Sequence, residues 1–141
     1  MWLRNQSDEI KAFFTNPKTT WDELAAKMEA LKPHQTGEMG CYGMSKAALN
    51  LITIQSAAAY PNLKVTALSP GFIATNMTQG FGGGITPEEG CTSALKCLFG
   101  DVTSGWYYGS DGLRSPLTVT RDPGTPEYQG EANPDASVYN K

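Results

Sequence analysis

The sequence predicts an α/β protein whose strands run in parallel, and three stretches carry that prediction. Residues 41–60 form an alanine- and leucine-rich run that reads as a long helix. Pro61-Asn62 closes it, and Lys64-Val65-Thr66-Ala67-Leu68-Ser69 follows at once as a buried strand ending in Pro70-Gly71. A further helix from Thr86 to about Phe99 stops at Gly100 and precedes a short strand at Gly105-Trp106-Tyr107-Tyr108. Helix followed closely by strand is the grammar of a parallel sheet.

The elements follow in order. Residues 7–32 have helical patterning, with Ile10, Phe13 and Phe14 spaced to share one face. Asn16-Pro17 interrupts it. A second helix starts near Thr20, where Thr20 and Glu23 have capping-box spacing and Asp22 sits near the positive end of the helix dipole. Trp21, Leu24, Ala25, Met28 and Leu31 form its expected buried stripe. Pro33 ends it, and Gly37 and Gly40 predict a loop before the long helix. Residues 72–84 read as a loop ending in a glycine cluster. Thr86-Pro87-Glu88-Glu89 is a helix start, with a capping threonine, proline at the first helical position and glutamate at the third. Beyond Gly112 the pattern fades into a proline-rich polar stretch, expected to be irregular or disordered. Trp2, Trp21, Trp106, Tyr107 and Tyr108 read as core or edge packing.

Composition bounds the function. The 141 residues suit one domain, and 40% apolar with 18% charged residues suits an ordinary soluble protein. A net charge of −3 with no basic cluster argues against nucleic acid and anionic lipid as partners. The amino terminus becomes polar at once, so no secretory signal is read there, and no apolar run approaches the ~20 residues of a membrane span. Cys41, Cys91 and Cys97 are odd in number and lack paired-motif spacing, which predicts reduced thiols and a cytoplasmic protein. With His34 as the one histidine, placed in a Pro-His-Gln-Thr-Gly loop, no metal site is expected.

Tyr42 and Lys46 stand four apart, so they share one helix face about a turn apart. An ammonium close to a phenol favours the phenolate. Bringing a phenol from its ordinary pKa near 10 to ~7 takes roughly 4 kcal/mol. An exposed ion pair supplies at most about 1 kcal/mol. Such a pair works as acid and base only in a desolvated pocket, preferably with further positive charge nearby. Taken alone, Tyr-x-x-x-Lys describes many exposed aromatic–cation pairs, and Pro70-Gly71 describes many plain turns.

Context narrows the choice. Tyr42-Gly43-Met44-Ser45-Lys46-Ala47-Ala48-Leu49-Asn50 resembles the catalytic helix of the short-chain dehydrogenases/reductases. About twenty residues later, Ser69-Pro70-Gly71-Phe72-Ile73-Ala74-Thr75-Asn76-Met77 is similar to that family's Pro-Gly-x-x-x-Thr segment. The resemblance covers residues 38–112. It implies the C-terminal part of a Rossmann-like, doubly wound α/β fold that lacks the N-terminal strands. It also implies an NADP- or NAD-dependent reduction of a small-molecule carbonyl to an alcohol. Tyr42 is then the general acid/base, and Lys46 favours its phenolate and bonds the nicotinamide ribose. Pro70 and Gly71 shape the nicotinamide pocket, Ile73 meets the carboxamide through its backbone, and Thr75 touches the carboxamide or pyrophosphate region. Residues 1–37 resemble the helical insertion of the carbonyl reductase branch, which implies a monomer when full-length. Residues 113–141 match no family pattern.

The sequence departs from the family in three ways. The glycine-rich fingerprint and the strands around it have no counterpart. The glycines at 80–84 do not tightly join a strand to a helix start as phosphate cradles do, and a lid over the substrate fits them better by family analogy. The substrate-polarising serine has no match, and Ser7 is not assigned to that role. The family's asparagine from an earlier helix is also absent. These departures imply a chain inactive by itself. The alternatives are a non-catalytic truncated paralogue serving as an interaction module, or an incomplete gene model. A two-stranded sheet is poor support for a fold. The isolated chain is therefore expected to be marginal or partly molten, with weak near-UV circular dichroism and a broad thermal transition. A cooperative transition with strong near-UV signals would contradict this.

Overall fold

The computed structural model describes residues 2–34 and 37–140. Helix α1 (Asp8–Phe14) starts where the Ser7 side chain accepts the Ile10 N–H, with Asp8 and Glu9 in the first turn facing the positive end of the dipole. A turn at Asn16 and Pro17 separates it from α2 (Trp21–Leu31). The expected capping box is present there: Glu23 N–H donates to Thr20 Oγ1 (3.3 Å), and Thr20 N–H donates to Glu23 Oε2 (2.7 Å). The Thr20 N–H and the Thr20 hydroxyl, both donated to the Glu23 carboxylate, hold it below its usual range. Past Leu31 the chain tightens into a 3-10 turn at Lys32–His34, as the proline at 33 requires.

The buried stripe of α2 is narrower than its pattern predicts. Leu24 is buried and Met28 and Leu31 are half-buried, but Trp21 is 67% exposed and Ala25 is open as well. The reason is that α2 contributes to the core along one edge only. Trp21, Met28, Leu49 and Ile52 line a groove between α2 and the long helix α3 (Gly37–Ala59).

Helix α3 begins earlier than the sequence suggests, with Gly37 and Gly40 inside it instead of in a loop. A helical glycine costs about 1 kcal/mol against alanine, too little to stop a helix that many later residues propagate. Its buried face carries Met44, Ala47, Ala48 and Leu51. The small alanines let Leu3, Phe14 and Leu24 pack close, and Trp2 and Leu117 join from outside. At Gly43 the approach is closest, since a Cβ there would lie 2.2 Å from the Trp2 Cβ. The Gln55 side chain donates to the Thr19 carbonyl and ties α3 to the turn before α2.

Strand β1 (Ala67–Leu68) pairs in parallel with β2 (Tyr107–Tyr108), Ala67 opposite Tyr107 and Leu68 opposite Tyr108. Flanking bonds lengthen the contact: Gly105 N–H to Val65 O (2.8 Å), Ala67 N–H to Trp106 O (3.1 Å) and Ser69 N–H to Tyr108 O (2.9 Å). Here the sequence misleads, because β1 is half-exposed and not buried, with Leu68 at the exposed boundary. Parallel strands are buried when neighbours and helices cover them on all sides. Among the described residues β1 has a strand partner on one edge only.

The predicted helix from Thr86 to Phe99 is two helices, α4 (Pro87–Gly90) and α5 (Thr92–Phe99). The Thr86–Glu89 capping box forms as expected (2.8 and 3.2 Å). The break at Cys91 has a local cause. Cys91 N–H turns to Glu88 O, and the Thr92 hydroxyl takes the Glu89 carbonyl at 2.8 Å. Gly90 is buried beneath Ile73, whose Cδ1 would be 2.4 Å from an added Cβ.

Residues 113–140 are irregular apart from α6 (Ala136–Tyr139), and they are anchored by polar side chains. The Arg114 guanidinium lies 3.9 Å from the Trp106 ring centre and 4.7 Å from that of Tyr128. Arg121, its side chain 1% exposed, grips Asp111 with both terminal nitrogens (2.9 and 2.6 Å). It also donates to the carbonyls of Pro126 and Thr125. Tyr139 is buried with its hydroxyl 3.1 Å from both Glu131 oxygens. Arg4 donates to Thr120 Oγ1 (2.9 Å), so the segment reaches back to the helical layer.

Burial raises the Asp111 carboxyl, but the Arg121 hydrogen bonds and charge and the Leu113 and Gly124 N–H groups outweigh it and hold it below the usual range. A depressed carboxyl contributes stability above its unfolded pKa and loses it as pH falls through the folded value. Arg121→Ala is therefore expected to cost about 3 kcal/mol near neutral pH, read from urea unfolding. The difference between wild type and Arg121→Ala should shrink as pH drops below the ordinary aspartate range. A difference independent of pH would contradict the ion-pair origin.

Candidate functional site

Tyr42 and Lys46 project from the second and third turns of α3. Lys46 Nζ is 5.3 Å from the centre of the Tyr42 ring, so the ammonium faces the aromatic ring. Tyr42 is 56% exposed and Lys46 is exposed too. Both line a cavity of about 930 Å³ between α3 and β1. From the sheet side come Thr66, Ser69, Pro70 and Tyr107; Asn50 lies further along α3, and Trp2 and Leu117 add apolar wall.

The bend after β1 is fixed from several directions. The buried Ser93 hydroxyl donates to the Ser69 carbonyl (3.1 Å), and Gly71 N–H donates to Ser69 Oγ (3.4 Å). Gly71 has φ +84°, and a Cβ there would crowd Ser110 and Ile85 at 3.1 and 3.2 Å. Burial pushes the Tyr107 phenol above its ordinary range, opposed by the Ser69 side chain nearby. Tyr107 therefore stays protonated through neutral pH.

Of the residues singled out from sequence, Tyr42, Lys46 and Pro70 share this cavity; Gly71, Ile73 and Thr75 follow on the loop and are not among its lining residues. Ile73 bridges Ile85 through the Ala74 N–H and the Phe72 carbonyl, which turns Ile73's own N–H to the opposite edge. The Ile73 carbonyl accepts the Thr78 hydroxyl (2.7 Å). Thr75 caps the 3-10 turn at Asn76–Thr78, with its N–H on Thr78 Oγ1 at 2.8 Å. Gly80, Gly82, Gly83 and Gly84 all have positive φ, and an added Cβ at Gly80, Gly82 or Gly83 meets nothing within 4 Å.

Sequence reasoning overlooked Tyr107, Ser69 and Asn50 as cavity residues. Tyr107 was legible in principle, since pairing the strand before Pro70 with the later aromatic strand brings it beside Ala67. Trp2 and Leu117 had no such signal, because they arrive from the two ends of the chain. Among the described residues no group of three or more His, Cys, Asp or Glu side chains could hold a metal ion. No helix among them is long and apolar enough to cross a membrane.

No family model matches the chain. Over 96 residues, 63% of its length, it is 30% identical to a 1-hydroxy-2-glutathionyl-2-methyl-3-butene dehydrogenase of Rhodococcus sp. (strain AD45). The chain spans 42% of that protein's length. It is thus distantly related to an oxidoreductase.

The Ser93–Ser69 bond gives the site a direct test. Ser93→Ala removes the buried hydroxyl, which should cost about 1 kcal/mol in urea unfolding. Amide exchange at Gly71 should quicken at the same time. Unchanged Gly71 exchange would mean that this hydroxyl does not hold the bend.

Proposed function

We propose that this chain is the C-terminal part of an NAD(P)(H)-dependent short-chain dehydrogenase/reductase, of the carbonyl reductase-like branch, that interconverts a carbonyl and an alcohol. The observation that carries the reading is the meeting of a phenol, an ammonium and the Ser69-Pro70 bend on one cavity. Distant kinship with a dehydrogenase supports it.

In this reading Tyr42 Oη gives its proton to the carbonyl oxygen during reduction and recovers it during oxidation. Lys46 supplies positive charge that favours the phenolate and reaches the nicotinamide ribose. Pro70 and Gly71 present a rigid edge to the nicotinamide ring. The Ile73 N–H, aimed away from its bridge to Ile85, suits a carboxamide oxygen, and Thr75 stands further along the same loop. A bound nicotinamide cofactor would supply the hydride as NADPH or NADH and would accept it as NADP or NAD in the reverse direction. The cavity volume falls within the ~300–1,000 Å³ of small-molecule sites, which fits the nicotinamide end of such a cofactor. The glycine turn at 80–84 leads within two residues to the start of α4, but that start is closed by the Thr86–Glu89 capping box and carries Glu88 and Glu89, which suit no pyrophosphate. The residues present therefore account for the reacting end alone.

Solvent decides what these residues achieve unaided. Tyr42 is more than half exposed, so water reaches the pair from the open side of the cavity. The same exposure favours a second reading as a non-catalytic interaction module.

Reduced nicotinamide mononucleotide tests the assignment without the missing phosphate cradle. Saturation-transfer NMR should show contact with its ring protons, and Lys46→Ala should weaken that contact. Absence of transfer would overturn the cofactor site. The same protein should not oxidise NADPH with a quinone; steady turnover would overturn its inactivity as an isolated chain.

A further inference from the structure

The segment from Ser69 to Ala74 carries both the bend and the Ile73 N–H, and residues 84–93 hold it at four places. The buried Ser93 hydroxyl donates to the Ser69 carbonyl (3.1 Å). Ile85 Cδ1 stands 3.2 Å from where a Gly71 Cβ would be. Ile85 N–H donates to the Phe72 carbonyl and Ala74 N–H to the Ile85 carbonyl, each at 2.9 Å. Ile73 itself lies over Gly90. We propose, resting on the oxidoreductase reading above, that Gly90 is a positioning residue: its missing side chain lets Ile73 settle with its N–H aimed at the carboxamide of a nicotinamide.

Conformation does not call for glycine at this position. Gly90 is not among the glycines with positive φ, and it belongs to α4, where alanine is the better helix former. Space does call for it. A Cβ there would lie 2.4 Å from Ile73 Cδ1 and 2.7 Å from Ile73 Cγ1. The terminal methyl can swing aside, but Cγ1 is set by χ1, which β-branching stiffens. Nor can the helix retreat. Thr86, the N-cap of α4, follows Ile85 directly, and the Thr86–Glu89 capping box locks that start. The helix is thereby tied to the residue that bridges Ile73. Three residues beyond Gly90, across a joint where Cys91 keeps helical angles (φ −76°, ψ −13°), Ser93 holds the other end of the segment. An alanine at 90 therefore displaces Ile73 and turns its N–H. A misplacement of about 1 Å is enough to spoil a reacting geometry.

The test compares reduced nicotinamide mononucleotide with its thioamide analogue on the 141-residue chain, by competition in saturation-transfer NMR. Sulfur accepts a hydrogen bond poorly, so the wild type should prefer the amide about fivefold. Gly90→Ala should bind both alike. Ile73→Ala leaves the space over Gly90 empty and should lose the preference too. The double variant fills that space from the other side and should regain it, a reciprocity that general loosening would not give. If Gly90→Ala fails to fold, Ile73→Ala and the double variant carry the same comparison. Gly90→Ala with its preference intact would overturn the positioning role and leave the cofactor site standing. Losses that simply add in the double variant would overturn that role as well, and so would a wild type that binds both nucleotides alike. A wild type that contacts neither would overturn the cofactor site, and this role with it.

Discussion

The parallel contact between residues 65–69 and 105–108 holds the rest of the molecule in register. It is short, yet everything beyond α3 is referred to it. It sets the Ser69-Pro70 bend opposite the start of α3, and it places Tyr107 beside that bend. By fixing β2 it also fixes Asp111, the acceptor for Arg121, and Trp106, the platform for Arg114. A parallel pair contributes little stability on its own. Here it is reinforced by side chains, since Lys64 donates to the Val102 carbonyl and Ser104 bonds the backbone at Leu63 and Val65.

The local grammar of the chain was readable because it depends on neighbours in sequence. The capping threonines at 20 and 86, the proline stop at 33 and the glycine stop at 100 all act within a few residues. The Tyr42–Lys46 juxtaposition belongs to the same category, being fixed by helical spacing. What the sequence concealed depends on distant partners. Trp21 carries the spacing of a core residue but meets no opposing surface, so it stays exposed. The run from Val65 to Ser69 has the composition of a doubly covered strand, but cover comes from other chain and not from composition. The break at Cys91 turned on a competing threonine hydroxyl that propensity ignores.

The site illustrates how geometry and environment separate. Residue types and spacing bring an acid–base pair and a rigid bend to one cavity. The dielectric that gives such a pair its power is a property of whatever surrounds it.

The anchoring of residues 113–140 changes how the chain can be handled. Its prolines and polar residues look like a dispensable linker, an obvious place to trim. Cutting after Gly112 would strip the Asp111 carboxylate of its guanidinium, uncover the Trp106 face and remove Leu117 from beside the helical core. It would also leave Arg4 without its bond to Thr120. The scissile bonds after Arg114 and Arg121 are guarded by the same contacts, since each arginine side chain is committed to partners that a protease would have to displace. A stretch that composition marks as loose packaging is better regarded as a seam that closes the molecule.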